Sequence, residues 1–347
     1  MRVVFMGTPE FAVPSLKMLI EEKYEVACVV TQPDKRKGRG GAYAAPPVKE
    51  LAAGHGIRVF QPVSIREESA FHEISELGAD VFVTVAFGGI LEKRLLALPG
   101  LGCVNVHASL LPKYRGPAPI QWAIVNGDGE TGITTMLTDA GIDTGCTLLC
   151  DRMTLTEEMY FPEVYDKLAN LGAKTLKRTL PLWARGGITP QPQDDSLATR
   201  ARMIVKEDGR IDFSKSARET VNLIRGLNPW PGTFAVSAGK RIRILRAGVV
   251  EESIAGPGAG AATDAGSHAS AGAETDARTG TEACAGVEID AGTPAGAVIG
   301  ISKDGLIVKC GSGAVSITAL QFENGRAMDI GECWHNLKMD SFDGWGE

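Results

Sequence analysis

No apolar run in this sequence approaches the roughly 18–20 residues that a membrane-crossing helix needs, so no membrane partner is expected. The apolar part of Met1–Gly7 is too short for a secretory signal and runs straight into a strand-and-turn pattern. A cytoplasmic protein is the expectation. None of the seven cysteines forms a Cys-x-x-Cys pair, and Cys28, Cys103 and Cys310 lie in apolar runs where reduced core thiols belong rather than disulfides or metal ligands. The segment Gly7-Thr8-Pro9-Glu10-Phe11 has a single glycine and is not the G-x-G-x-x-G turn of a dinucleotide site, so neither NAD nor a metal is expected. A net charge of −6 argues by itself against a polyanionic partner.

That charge is unevenly spread. Lys35-Arg36-Lys37-Gly38-Arg39 reads as a basic loop and Lys240–Arg246 as a basic strand. Each is compatible with a solvated edge, and together they are compatible with a local polyanion site. Three of the six net negatives fall within Ala255–Gly286, where Asp264, Glu274, Asp276 and Glu282 stand against Arg278. That stretch has no aromatic residue and no Leu, Ile or Val. Such a composition does not bury enough apolar surface to offset its ordering entropy, so a disordered insertion is expected.

In the first half, Val3–Met6, Val26–Thr31, Val81–Ala86 and Gly102–Val106 read as buried strands. Helical patterns at Phe11–Glu21, Val48–Ala53, Glu67–Leu77 and Leu91–Leu96 alternate with them. That alternation predicts an α/β, Rossmann-like parallel sheet with helices on both faces, whose ligands bind beyond the C-terminal strand ends. A long amphipathic helix, about Pro162–Ala184, closes this domain (1–184), and a Gly- and Pro-rich linker (185–206) follows. A helix at Ser216–Leu227 and five short strands, Thr233–Ser237, Arg241–Leu245, Ala297–Ile301, Leu306–Cys310 and Val315–Leu320, predict a small OB-like β-barrel (207–334) with a tail (335–347).

The chemistry concentrates in Asn105-Val106-His107 and in Gly141-Ile142-Asp143-Thr144-Gly145. Asn105 and His107 are two apart at a strand end and point the same way. Asp143 lies in a Gly-flanked loop. Taken singly, a His after a strand or an Asp in a turn has an ordinary structural explanation. Together, an amide, an imidazole and a carboxylate can stabilise an oxyanion and move a proton. None of the three is a good nucleophile, which favours direct acyl transfer between two bound substrates over a covalent acyl-enzyme.

Met6–Phe11, Thr31-Gln32-Pro33-Asp34 with Gly38-Arg39-Gly40, Phe60-Gln61-Pro62, Asn105-x-His107 with Ser109-Leu110-Leu111-Pro112, Arg115–Gln121, Asp143-Thr-Gly145 and Asn228-Pro-Trp-Pro231 follow one another in a family order. In these motifs the chain resembles the 10-formyltetrahydrofolate-dependent formyltransferases, and among them the methionyl-tRNA formyltransferase family. The resemblance covers nearly everything outside the Ala/Gly-rich insertion. It implies transfer of a formyl group from 10-formyltetrahydrofolate to the α-amine of initiator methionyl-tRNA; separately, a monomer is expected. Asn105 and His107 would hold the oxyanion, and Asp143 would take the amine proton. Ser109, Leu110, Leu111 and Pro112 would form the folate loop, with backbone of Asp80–Phe87 beside it. The loop Asp34–Gly41, with Lys35, Arg36, Lys37 and Arg39, would meet the tRNA acceptor end. Lys240, Arg241 and Arg243 would meet the tRNA body. A formyltransferase or hydrolase acting on a small amine or water would keep the three polar residues but need no second domain. A catalytically silent tRNA-binding protein would leave those three residues unexplained.

Overall fold

The computed structural model describes residues 1–37, 41–250, 290, 292–337 and 339–344. Arg39 and the stretch 255–286 lie outside the described residues, and of Lys37 only the backbone is described. The chain forms two compact units, Met1–Asp208 with Arg225–Pro231 and Gly209–Ile224 with Gly232–Glu347. Among the described residues no helix is long and apolar enough to cross a membrane.

The first unit runs β1 (Arg2–Gly7), α1 (Val13–Glu21), β2 (Glu25–Val30), β3 (Lys35–Lys37), β4 (Ala42–Ala44), α2 (Pro47–Gly54), β5 (Val59–Phe60), α3 (Glu68–Ser75), β6 (Val81–Val85) and α4 (Lys93–Leu96). It continues with β7 (Cys103–His107), α5 (Pro119–Val125), β8 (Glu130–Leu137), β9 (Thr147–Thr154) and α6 (Phe161–Ala184). The seven-stranded sheet has the order β5-β2-β1-β6-β7-β8-β9. Strands β5 to β7 are parallel, as the alternating pattern predicts. The central strands β1 and β6 bury side chains on both faces. Val3, Phe5, Val81 and Val83 pack with α1, α2 and α6 in one layer, while Val4, Met6 and Phe82 pack with Ile74 and Leu95 in the other. The strand order reverses between β1 and β6, the crevice where ligands collect in open sheets of this kind.

The seven-stranded sheet holds three strands beyond the sequence-based expectation, β5, β8 and β9. β8 and β9 extend the sheet antiparallel from β7. β8 carries Thr131, Thr134 and Thr135, which read as polar yet are buried. For Thr134 and Thr135 burial is made tolerable by internal hydrogen bonds. Thr134 Oγ1 donates to the Ser109 carbonyl at 2.7 Å, and the Thr135 and Thr179 hydroxyls are 2.9 Å apart. The basic stretch expected to be a loop is, through Lys37, the strand β3, paired antiparallel with β4. Arg36 stands opposite Tyr43 with its guanidinium 5.6 Å from the ring centroid, a cross-strand pair that a strand favours over a loop.

The second unit holds α7 (Ala217–Leu227) through Ile224, β10 (Thr233–Ser237), β11 (Lys240–Val250), β12 (Val298–Ser302), β13 (Gly305–Lys309), β14 (Ala314–Phe322), β15 (Ala327–Asp329) and α8 (Ile330–Cys333). Its antiparallel sheet has the order β10-β11-β14-β13-β12, with β15 on β14. Ile242, Ile244, Leu306, Val308, Val315 and Ile317 turn inward. No ladder joins β10 to β12 among the described residues. Residues 340–343 sit at that seam of the OB-like sheet. Val298 N donates to Asp340 O and Phe342 N to Gly296 O on one side, and Asp343 N donates to Val236 O on the other.

Candidate active site

β7 ends at His107 one strand away from the switch point, with the end of β6 between them. Asn105 and His107 project from one face of β7, as their spacing requires. Loop 138–146, between β8 and β9, brings Asp143 over this strand end. The three predicted residues therefore meet, although Asp143 is 38 positions from Asn105. Asn105 Nδ2 is 3.5 Å from Asp143 Oδ1, and His107 Nδ1 is 3.6 Å from Asp143 Oδ2. His107 is 6% exposed, so the group is held at the edge of the core rather than in open solvent.

Neighbours that sequence reasoning missed set the direction of each group. Thr84 on β6 stands beside Asn105 in the sheet, and its hydroxyl donates to Asn105 Oδ1 at 3.0 Å. The amide nitrogen is thereby turned toward Asp143. His107 Nε2 lies 2.9 Å from the Tyr114 carbonyl, which only accepts, so Nε2 carries a proton and Nδ1 faces the carboxylate. Gly116 N donates to Asp143 Oδ2 at 2.9 Å. Thr84 had a usable signal, a hydroxyl in the otherwise apolar run Val81–Val85. The contributions of Tyr114 and Gly116 come from backbone, which residue type does not reveal.

Asp143 has φ +54°, a left-handed conformation that is uncommon outside glycine. Its loop is braced from within, because Asp139 accepts from Gly141 N at 3.0 Å and from the Thr144 hydroxyl at 2.7 Å. Gly145 lies so close to β8 that a Cβ there would fall 1.8 Å from the Leu137 carbonyl oxygen. Only glycine lets the loop return at this distance.

The turn after β7 divides the four residues expected at the folate loop. Ser109 is fully buried, and its hydroxyl donates to the Lys113 carbonyl at 2.6 Å. Its side chain is spent within the turn. Leu110, Leu111 and Pro112 are half-buried and present apolar surface, with Leu111 N tied to Thr134 Oγ1 at 3.1 Å. At the end of β6 the Phe87 carbonyl accepts from Thr8 Oγ1 at 3.1 Å, which fastens the β1 and β6 ends together.

Lys35 and Arg36 are exposed on β3. The base of that hairpin is fastened by Asp34, which accepts from Lys49 Nζ at 2.8 Å and Gln61 Nε2 at 2.8 Å. The Lys49 and Gln61 hydrogen bonds hold the Asp34 carboxyl below its usual range. In the second unit, Lys240 and Arg241 are exposed and Arg243 is half-buried on β11. The Arg241 guanidinium lies 3.6 Å from the Phe234 ring centroid, and Arg243 Nη1 reaches Gln321 Oε1 at 3.4 Å. Arg241 and Arg243 share the face opposite the buried Ile242 and Ile244.

Residues 1–180 match the family model described as formyl transferase, and residues 203–338 match its C-terminal domain. A methionyl-tRNA formyltransferase of Caldanaerobacter subterraneus subsp. tengcongensis is 47% identical over 340 residues, 97% of this chain and 98% of the relative. One from Acetivibrio thermocellus is 44% identical over 339 residues, 97% of each chain. In fold, the chain is similar to HypX from Aquifex aeolicus in complex with tetrahydrofolic acid, with a TM-score of 0.58 and 16% identity, covering all of this chain and 50% of that one.

Proposed function

The chain belongs to the formyl transferase family, and we propose that it transfers the formyl group of 10-formyltetrahydrofolate to the α-amine of initiator methionyl-tRNA. The observation that carries this reading is the convergence of Asn105, His107 and Asp143 at the C-terminal end of β7. Relatives that share over 40% of its residues along almost its whole length bear the methionyl-tRNA formyltransferase name, which supports the amine acceptor.

In this reading the folate supplies the formyl carbon and takes up a proton at N10 as its bond to that carbon breaks. The chain's residues do the rest. Asn105, its carbonyl held by Thr84 and one N–H facing Asp143, directs its remaining N–H at the formyl oxygen as charge develops there. With Nε2–H donating to Tyr114, His107 presents a second N–H at Nδ1 only as imidazolium, and Asp143 is the acceptor on that side. Asp143 takes the proton that the attacking amine must lose, directly or through a water, and returns it toward N10. Leu110, Leu111 and Pro112 would cover the flat ring of the folate. Their half-buried apolar surface fits that role, whereas the Ser109 side chain would act only by shaping the turn. Lys35, Arg36, Lys37 and Arg39 would contact the acceptor end, and Lys240, Arg241 and Arg243 the tRNA phosphates.

The test is formylation of charged initiator tRNA by the full chain with 10-formyltetrahydrofolate, against free methionine. Formyl-methionyl-tRNA with no product from free methionine is the expected result. Folate hydrolysis without tRNA product, or tRNA binding without turnover, would replace the proposal.

A further inference from the structure

The residues between α6 and the second unit are a structural part of the site. Gln191 pairs with Thr147 at the start of β9, through Thr147 N to Gln191 O at 2.8 Å and Gln191 N to Thr147 O at 2.9 Å. Two residues on, Gln193 Nε2 donates to the carbonyls of both Asp143 and Gly145, at 2.9 and 2.8 Å. Its Oε1 accepts from Arg115 Nε at 3.0 Å, and Arg115 Nη2 continues to Asp195 Oδ1 at 2.8 Å. The chain then runs along 114–118. Tyr114 N donates to Thr199 Oγ1 at 2.8 Å, Arg115 N to Thr199 O at 2.9 Å, and Ala201 N to Arg115 O at 2.7 Å. Gly116 approaches so closely that a Cβ there would lie 2.6 Å from the Ala201 carbonyl oxygen.

This strap therefore grips both segments on which the site depends. One side holds the carbonyls around Asp143. The other holds the backbone whose Tyr114 carbonyl orients His107 and whose Gly116 N–H binds Asp143. We propose that Gln193 is a positioning residue for formyl transfer, locking the left-handed Asp143 loop against Arg115 so that the carboxylate stays aligned with Asn105 and His107. The side chain suits this task. A primary amide offers two N–H donors at one atom for two carbonyls and an acceptor at the other for a guanidinium. Held from outside in this way, Asp143 keeps a backbone conformation that the loop would otherwise relax.

The inference rests on Asp143 being the catalytic carboxylate, and the experiment separates the two ideas. Gln193→Glu keeps the length and the Arg115 contact but offers the carbonyls no donor. Gln193→Met keeps the length and removes every hydrogen bond. Both are assayed in the full chain for kcat, for KM of tRNA and of 10-formyltetrahydrofolate, and for thermal stability, with Asp143→Asn in parallel. The strap predicts a fall in kcat of about 10- to 100-fold for both Gln193 variants, the scale that a small misplacement of a reacting group produces. Both KM values should stay within about twofold, because substrate contacts are untouched. Asp143→Asn turning over normally would overturn the site reading itself. An inactive Asp143→Asn beside Gln193 variants with normal kcat, or with altered KM alone, would overturn the strap. If both Gln193 variants fail to fold, the strap is a stability element and the positioning role is likewise refuted.

Discussion

Replacing Asp143 by Asn separates chemistry from architecture at this site. The carboxylate serves three neighbours, with Oδ2 accepting from Gly116 N at 2.9 Å and facing His107 Nδ1 at 3.6 Å, and Oδ1 accepting from Asn105 Nδ2 at 3.5 Å. An amide has a single acceptor oxygen. If it keeps the Gly116 bond, its NH2 meets the amide of Asn105, donor against donor. If it turns over, the NH2 meets the Gly116 N–H. Either way one donor is left unmatched, which costs about 1–3 kcal/mol when buried. The Asp143 side chain is 18% exposed, so water reaches it and the low end applies, about 1 kcal/mol. In a domain of this size that lowers Tm by roughly 2–4 °C.

The effect on rate should be much larger. Loss of a positioned proton acceptor typically slows a reaction about 10²- to 10⁴-fold. At 1.36 kcal/mol per decade this is a barrier increase of about 3–5 kcal/mol. Single-turnover transfer of labelled formyl to charged tRNA measures the rate, equilibrium folate binding tests the pocket, and thermal unfolding tests the fold. A folded Asp143→Asn protein that binds folate and transfers within tenfold of the parent rate would refute the proton-acceptor reasoning. His107→Ala should lose turnover comparably, since it removes the ring and leaves the Tyr114 carbonyl without its donor.

Arg39→Ala should raise the KM for tRNA while leaving folate binding unchanged, and equal loss of both would show that Arg39 supports the folate pocket instead. Asp34→Asn should unfasten the base of the β3–β4 hairpin from Lys49 and Gln61. Because these bonds hold the folded-state carboxyl below its unfolded value, their stabilisation is present above the unfolded pKa and lost as pH falls through the folded one. The Tm gap between parent and variant should therefore be full near about pH 6 and close below about pH 4, and a gap independent of pH would contradict the assignment. Deleting Ala255–Gly286 and joining the ends with a short turn should leave Tm and tRNA formylation nearly unchanged, because loop length alters closure entropy by only roughly 0.6 kcal/mol per doubling. Unfolding or lost activity would show that the segment is part of the barrel.

The legible parts of this fold are those in which residue type and spacing carry the physics. Val3–Met6 and Val81–Val85 are buried on both faces and so read as central parallel strands. α6 announced itself through its amphipathic period. β8 stayed hidden because its buried Thr134 and Thr135 find partners on other segments, the Ser109 carbonyl and Thr179, which a polar-or-apolar reading counts as exposure. β3 stayed hidden because three basic residues followed by Gly38 read as solvated loop, while the pairing of Arg36 with Tyr43 is a contact made seven positions away.

The same division runs through the site. Asn105, His107 and Asp143 show in the sequence because proton transfer and oxyanion stabilisation demand an amide, an imidazole and a carboxylate, and few residue types substitute. What aligns them is of another kind. The Tyr114 carbonyl and Gly116 N–H are backbone groups that any residue supplies, and Gln193 lies in Thr189-Pro190-Gln191-Pro192-Gln193-Asp194-Asp195, a composition that ordinary connections share. Alignment is nonetheless what converts three common side chains into a reaction centre, since a shift of about 1 Å can cost a factor near 10². The rate should therefore depend on residues such as Gln193 that bear no reactive group, and a substitution there should reach the chemistry through the Asp143 and Gly145 carbonyls that it holds.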